Sequence, residues 1–158
     1  MDMLPEDSPE DAIATPLPRS ANSSHPILVV DDDDDVRQLT LDVLTDSGYD
    51  VEGVKDGAAG WKALQTNNFD LVITDNKMPK MSGLEMIAKL RSARMSILVI
   101  MATGSLPMHE FASKPWLYPD ATLQRPFSNQ ALLASVKKVI RRNDSYDNHM
   151  KMLLPPYL

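Results

Sequence analysis

The chain contains no cysteine among its 158 residues. This absence excludes a disulfide framework, a thiolate metal site and a cysteine nucleophile. Long apolar runs are also missing, since no stretch approaches the roughly 20 residues of a membrane-spanning helix. The N-terminus lacks the basic and apolar regions of a signal peptide. The net charge of −6 gives no general attraction to nucleic acid or anionic membranes. We therefore expect a cytoplasmic protein that binds neither nucleic acid nor membrane.

Three regions of the chain differ in composition. Residues 1–24 combine four prolines with many acidic and small residues, which predicts a disordered tail or linker. Between residues 25 and 142, short apolar runs alternate with helical patterns, and this alternation predicts one folded domain. Residues 143–158 are polar at first and then apolar, and we interpret them as a C-terminal tail.

The alternation within residues 25–142 predicts an α/β fold. The predicted strands cover 27–30, 50–54, 71–74, 97–102 and 121–124. The predicted helices cover 34–46, 57–66, 84–92 and 128–142, with a fifth that prolines limit to about two turns between 107 and 115. Strands that alternate with helices favour a parallel sheet with helices on both faces.

A run of five aspartates, Asp31 to Asp35, follows the first predicted strand directly. Carboxylates crowded at the end of a buried strand repel one another unless a cation lies among them. The last three aspartates of the run suit the start of the following helix, and we expect them to be loop and helix-start residues. The residues of that helix at apolar helical spacing, which we expect to face the core, are Val36, Leu39, Val43 and Leu44.

Polar side chains stand where four of the predicted strands end. Asp31 and Asp32 follow the first strand, Asp75 the third, Thr103 the fourth and Arg125 the fifth. Because the carboxyl ends of parallel strands share one edge, we expect these groups to converge. Oxygen ligands without histidine or cysteine suit Mg²⁺ or Mn²⁺. A metal held by carboxylates, together with a nearby guanidinium and hydroxyl, forms a site that can bind a phosphoryl group. Asp75 stands alone at the end of its strand and is the best candidate for a nucleophile that forms an aspartyl phosphate.

These motifs, taken together, resemble the signature of the receiver domain of two-component response regulators, such as the chemotaxis receiver. The matching segments are Ile27-Leu28-Val29-Val30-Asp31-Asp32, Asp75 with Met78-Pro79 and Gly83, Thr103-Gly104, and Arg125-Pro126-Phe127. The resemblance extends over about residues 26–142. It implies a (βα)5 doubly wound, five-stranded parallel sheet of the flavodoxin-like type with strand order 2-1-3-4-5.

The resemblance also implies how the acceptor site would work. Asp75 would accept a phosphoryl group from a phosphohistidine on a sensor histidine kinase or a phosphotransfer protein. Asp31, Asp32 and Asp75 would hold Mg²⁺ or Mn²⁺ together with the backbone carbonyl of Lys77. Thr103 would donate its hydroxyl to a phosphoryl oxygen and move inward on phosphorylation.

Two positions depart from the family pattern. Arg125 stands where the family usually has lysine; it keeps the charge, but its planar guanidinium is wider and offers bidentate contacts. Thr122 stands where the family often has an aromatic residue three positions before that cation. A rotating aromatic side chain cannot report the phosphorylated state from Thr122, so a switch would use other contacts.

Several functions fit these observations. The first is a phosphoacceptor signalling domain of a two-component phosphorelay that acts through an unknown downstream protein and is no enzyme beyond self-phosphorylation and slow self-dephosphorylation. Because residues 143–158 leave no room for an output domain, we expect either a stand-alone receiver or the receiver portion of a hybrid sensor kinase. The second is a degenerate receiver that acts without phosphorylation, which Arg125 leaves open. The third is a phosphohydrolase of the haloacid dehalogenase type that uses Asp31 and Asp33, although that pattern wants threonine where Asp35 stands.

Overall fold

The protein is described by a computed structural model over residues 25–153, and this part of the chain contains five strands that alternate with helices. The strands are β1 (Ile27–Val30), β2 (Val51–Val54), β3 (Leu71–Thr74), β4 (Leu98–Thr103) and β5 (Ala121–Gln124). The helices are α1 (Asp34–Asp46), α2 (Gly57–Thr66), α3 (Gly83–Ser92), α4 (Met108–Ser113) and α5 (Asn129–Leu153), and a 3-10 helix (Pro115–Leu117) follows α4. The predicted tail at 1–24 lies outside the described residues.

All five strands are parallel, and their order across the sheet is β2-β1-β3-β4-β5. The predicted fold class and the strand order implied by the resemblance are both confirmed. Val30, at the end of β1, is in register with Val54 of β2 and with Thr74 of β3. The loops that follow these strands therefore start level with one another, at the edge that we call the carboxyl edge.

Helices cover both faces of the sheet and give it two apolar cores. In β1, Leu28 and Val30 pack with α2 and α3, whereas Ile27 and Val29 pack with α1 and α5. Each residue of β1 and β3 is buried, as expected for strands that are covered on both faces. Burial on both faces explains why these two strands are aliphatic apart from Thr74, whose buried hydroxyl donates to the carbonyl of Asp75 at 2.7 Å.

Helix α1 has its predicted bounds, but the prediction that Leu39 faces the core is wrong. Leu44 is fully buried, whereas Leu39 is 57% exposed. Thr40 is buried in the position that the pattern gave to Leu39, and its hydroxyl donates to the carbonyl of Val36 at 2.9 Å. Leu39 instead lines a surface groove of about 430 Å³ whose other wall includes Phe127.

Helix α5 is longer than predicted. The expected end near residue 142 is wrong, because the helix continues to Leu153 and includes the first part of the predicted tail. No proline or glycine occurs from Asn143 to Leu153, so nothing in that segment ends the helix. The extension contacts the start of the domain, where His25 Nε2 lies 3.3 Å from the carboxylate of Asp144. Residues 154–158 lie outside the described part of the chain, and the division into domain and tails stays a prediction.

Within residues 25–153, no helix combines the length and the apolar composition needed to cross a bilayer.

Candidate functional site

Backbone hydrogen bonds fix the start of each loop at the carboxyl edge. The N–H of Asp31 donates to the carbonyl of Val54 at 3.1 Å, and the N–H of Asp75 donates to the carbonyl of Val30 at 3.1 Å. The N–H of Arg125 donates to the carbonyl of Thr103 at 3.0 Å. The sheet ladder thus extends by one residue into each loop and places the predicted site residues next to one another.

Asp31 and Asp75 are buried carboxylates, exposed by only 4% and 8%. One oxygen of each is held by a nearby backbone amide: the N–H of Asp33 donates to Asp31 Oδ1 at 3.0 Å, and the N–H of Asn76 donates to Asp75 Oδ1 at 2.7 Å. Burial raises the pKa of Asp31, while the hydrogen bond from the Asp33 N–H and the charge of the Arg125 guanidinium oppose the rise. The Oδ2 atoms of both carboxylates contact the guanidinium of Arg125.

The loop after β3 positions Asp75 through a tight contact with α3. The N–H of Gly83 donates to the carbonyl of Asn76 at 2.9 Å, and the N–H of Leu84 donates to the Asn76 side chain at 3.0 Å. A Cβ atom at Gly83 would lie 2.3 Å from the carbonyl oxygen of Asp75, so this position requires glycine. The glycine in the motif is therefore explained by the close approach of the helix start to the acceptor loop.

The carboxylates of Asp31, Asp32 and Asp75 form one cluster, in which one oxygen of each lies within 4.8 Å of the others. Asp32 is exposed, so the cluster opens to solvent on one side. Three carboxylate oxygens without nitrogen or sulfur ligands are the donor set that a hard divalent cation such as Mg²⁺ prefers. The residues present therefore fit the metal that the sequence predicts.

Arg125 supplies the positive charge next to this cluster. Its Nη2 donates to Asp31 Oδ2, and its Nη1 donates to Asp75 Oδ2 at 3.4 Å. The Arg125 side chain is 25% exposed, and its Nε is buried without a hydrogen-bond partner among the described residues. The sequence predicted a cation near a phosphoryl group, but it did not predict that the guanidinium would bridge two carboxylates.

Thr103 and Lys77 complete the set of predicted residues. Thr103 is 3% exposed at the end of β4, and its Oγ1 accepts the N–H of Ser105 at 3.3 Å. Lys77 lies two residues beyond Asp75 in the same loop, with an exposed side chain. The role of its carbonyl as a metal ligand stays a prediction.

The remaining aspartates of the run do not join the cluster. The Asp33 carboxylate caps α1 by accepting the N–H groups of Asp35 and Val36 at 3.0 and 3.1 Å. Asp34 pairs with Arg37 at 2.6 Å. The Asp31–Asp33 pair that a phosphohydrolase would need is therefore absent from the cluster, because the Asp33 side chain is engaged at the helix start.

Two supporting residues, Arg37 and Asp56, were not predicted from the sequence. Arg37 Nη1 donates to the carbonyl of Asp31 at 2.8 Å, so this side chain ties α1 to the loop after β1. Arg37 lies four residues after Asp33, in the first turn of the predicted helix, and this position could have indicated a contact with the loop after β1. A second missed residue, Asp56, is 4% exposed, caps α2 and lies 3.8 Å from Lys80.

Comparison with known sequences identifies the family. Residues 27–137 match the family model described as the response regulator receiver domain. The alkaline phosphatase synthesis transcriptional regulatory protein PhoP of Bacillus subtilis (strain 168) is 32% identical over 118 residues, which are 75% of this chain and 49% of that protein. The response regulator MprA of Mycobacterium sp. (strain KMS) is 34% identical over 116 residues, which are 73% of this chain and 50% of that protein. The chain spans about half the length of these curated relatives.

Solved structures agree with this result. The chemotaxis response regulator CheY4 of Vibrio cholerae superposes with a TM-score of 0.66 at 29% identity, covering 73% of this chain and 98% of that chain. The response regulator TrrA of Thermotoga maritima, solved in complex with Mg(2+)-BeF, superposes with a TM-score of 0.65 at 31% identity and the same coverage. From its sequence match and its fold together, this chain belongs to the family of response regulator receiver domains, the signalling modules of two-component systems.

Proposed function

We propose that this receiver domain accepts a phosphoryl group on Asp75 and passes the signal on through a protein interaction. The observation that carries the proposal is the surroundings of the Asp75 carboxylate. Its Oδ2 lies 3.4 Å from Arg125 Nη1, and its carboxylate shares a cluster with Asp31 and Asp32. A nucleophilic carboxylate thus lies beside both the permanent positive charge of Arg125 and a set of metal ligands.

In the proposed reaction, a carboxylate oxygen of Asp75 attacks the phosphorus of a phosphohistidine. The new O–P bond forms as the N–P bond breaks, and the electron pair of that bond returns to the departing imidazole. Arg125 offers positive charge to the phosphoryl oxygens, and the Thr103 hydroxyl is available to donate a hydrogen bond. Because Asp75 is only 8% exposed, few water molecules can approach the resulting acyl phosphate.

Asp31, Asp32 and Asp75 would hold Mg²⁺ in this reaction, with the backbone carbonyl of Lys77 as a further ligand. The ion, when bound, supplies positive charge that offsets the repulsion between carboxylates and phosphoryl oxygens. The buried pair, Asp31 and Asp75, provides fixed ligands, whereas the exposed Asp32 can adjust to the ion. The Mg(2+)-BeF complex of the Thermotoga maritima relative supports this assignment.

The phosphodonor would be a sensor histidine kinase or a phosphotransfer protein. The groove of about 430 Å³ next to the site supports a protein donor, because it combines apolar residues with the acceptor edge. Leu39 and Phe127 line the groove, and Arg125 lines it as well. A donor protein seated there would bring its phosphohistidine close to the charge of Arg125.

The output would be a change in protein binding. Phosphorylation would draw Thr103 toward the phosphoryl group and thereby shift the loop that leads into α4. Thr122 in β5 offers no aromatic ring for this switch, so we assign the change to the loop itself. We further propose a cytoplasmic location and, because the net charge of −6 gives no general attraction to nucleic acid, no direct binding to it.

Intact-mass measurement after incubation with Mg²⁺ and acetyl phosphate tests this proposal. We expect the wild-type chain to gain one phosphoryl group and Asp75→Ala to gain none. Asp35→Ala is the matched control, because it removes an exposed carboxylate in the first turn of α1, outside the cluster, and should label like the wild type. A beryllofluoride-bound sample, followed by nuclear magnetic resonance, detects an acceptor site whose phosphate is too short-lived for mass measurement.

Two other outcomes would contradict the proposal. Labelling that persists in Asp75→Ala and disappears in Asp31→Ala would indicate a different nucleophile. A chain that neither labels nor responds to beryllofluoride would be a receiver that acts without phosphorylation, a function favoured by the contacts of Arg125 with both buried carboxylates.

A further inference from the structure

Arg125 is held by the two buried carboxylates that would bind the divalent cation. Its Nη2 contacts Asp31 Oδ2, and its Nη1 contacts Asp75 Oδ2 at 3.4 Å. The Oδ1 atoms are engaged by the backbone N–H groups of Asp33 and Asn76 at 3.0 and 2.7 Å. On each carboxylate the guanidinium therefore contacts the oxygen that does not accept these N–H groups, in the same cluster that would hold the metal.

We propose that Arg125 acts as an internal cation that competes with Mg²⁺ for Asp31 and Asp75. Metal binding then requires the guanidinium to leave Asp31, and Arg125 sets the metal affinity of the acceptor site. The inference rests on the proposed function, since it concerns the same carboxylates, but it makes a separate claim about how tightly they bind metal.

Charge and geometry both support competition. A guanidinium and a divalent cation that contact the same carboxylates lie within a few ångströms of each other, where their repulsion is strong in a partly desolvated site. Arginine can contact Asp31 and Asp75 at once because its two terminal nitrogens diverge in one plane; the compact ammonium of a lysine has no such fork. Competition from a lysine at position 125 should therefore be weaker.

The hydrogen bonding of the guanidinium shows how it could leave. Arg125 Nε is buried without a partner among residues 25–153, so the contacts with the carboxylates do not satisfy all of its donors. The backbone of Arg125 is held by the carbonyl of Thr103 at 3.0 Å. A guanidinium that moves off Asp31 stays at the carboxyl edge, where it can donate to an incoming phosphoryl group instead.

Calorimetric titration of the metal-free full chain with Mg²⁺ tests this inference without any phosphoryl transfer. We expect Arg125→Gln to bind Mg²⁺ roughly ten- to a hundredfold more tightly than the wild type, with Arg125→Lys between them. Arg142→Gln is the matched control, because it removes the same charge near the opposite edge of the sheet, where Arg142 contacts the carbonyl of Asp120 at 3.3 Å. Its affinity should stay within about twofold of the wild type.

Thermal unfolding gives a second readout. Without the guanidinium, the buried carboxylates of Asp31 and Asp75 lose their counter-charge, so Arg125→Gln should melt at a lower temperature than the wild type in metal-free buffer. Saturating Mg²⁺ should then raise its melting temperature more than that of the wild type, because the variant binds the ion more tightly. If Arg125→Gln does not fold without metal, Arg125→Lys carries the comparison.

Equal or weaker Mg²⁺ affinity in both Arg125 variants would overturn the inference, and so would the absence of Mg²⁺ binding in every variant. Its failure is distinguishable from failure of the proposed function. If the wild-type chain is labelled on Asp75 but the Arg125 variants bind Mg²⁺ no more tightly than the wild type, the competition is wrong and the proposed function stands. Tighter metal binding in those variants without any labelling leaves the competition standing and removes the function.

Discussion

Asp31 and Asp33 are two residues apart in the same run of aspartates, yet they have different tasks. Asp31 is 4% exposed and contacts Arg125, whereas Asp33 is exposed and caps α1 through the N–H groups of Asp35 and Val36. The difference follows from the end of β1: the residue directly after the strand is still buried, and two residues later the chain is exposed to solvent. A charge run is therefore not one feature, because each carboxylate takes its role from its distance to the strand end.

The two positions also differ in their electrostatics. Burial disfavours the charged form of Asp31 and raises its pKa, so the charged carboxylate destabilises the folded state, and Arg125 partly offsets this effect. Asp33 keeps its solvation and satisfies two backbone donors of α1 that would otherwise lack partners. The buried carboxylate of Asp31 therefore favours binding of a cation, whereas the exposed carboxylate of Asp33 stabilises helix α1.

The largest expected difference between the two positions is in metal-dependent labelling. Asp31→Asn removes a charged ligand, and we expect its initial rate of labelling by acetyl phosphate with Mg²⁺ to fall at least about tenfold. Asp33→Asn keeps the cap, because asparagine accepts the same hydrogen bonds, and should label at the wild-type rate. Time courses of intact mass measure both rates. Equal rates for the two variants would show that Asp31 holds no metal.

A smaller effect is expected in stability, at the other position. Asp33→Ala removes the cap of α1 and should lower the free energy of unfolding by about 1 kcal/mol. Asp33→Asn should lower it by much less, since its side chain can still accept from the helix start. Urea unfolding, followed by circular dichroism, compares the two variants with the wild type. A loss of the same size in both variants would mean that the charge, rather than the cap, stabilises the helix.

The smallest effect concerns pH. Because the pKa of Asp31 is raised above 3.8 in the folded protein, the folded state binds more protons than the unfolded state between 3.8 and the folded pKa. This carboxyl therefore makes the free energy of unfolding decrease as the pH rises through that window. Asp31→Asn should lack this part of the decrease, whereas Asp33→Asn should keep it. Urea unfolding in chelator-containing buffer between about pH 4 and pH 7 measures the slopes, and equal slopes would contradict the prediction.

The sequence predicted the strands well, for a physical reason. The run at β1 is wholly apolar, and the run at β3 is apolar up to Thr74, because both faces of each strand are covered. Such a run shows in the sequence where the strand begins and ends. The convergence of Asp31, Asp75 and Arg125 followed from the parallel order of the strands. Their pairwise contacts did not follow, because the sequence does not reveal which atoms of a guanidinium face which carboxylate.

The helices were predicted less well where the environment differs from the local pattern. The buried position in α1 is taken by Thr40, whose hydroxyl bonds the carbonyl of Val36, while the apolar Leu39 faces a surface groove. Helix α5 continues past residue 142 to Leu153 because no proline or glycine stops it, whereas the polar composition of that segment had suggested a tail. Hydrophobic periodicity predicts a face of a helix, but it does not fix the rotation of that face or the end of the helix.

Locating the modified residue tests the central claim most directly. After incubation with acetyl phosphate and Mg²⁺, reduction of the acyl phosphate with borohydride converts the modified aspartate to homoserine, which peptide mass spectrometry can locate. We predict homoserine at position 75 in the wild type and at no position in Asp75→Ala. Homoserine at position 31, or at any other aspartate of the cluster, would contradict the assignment of Asp75 as the acceptor.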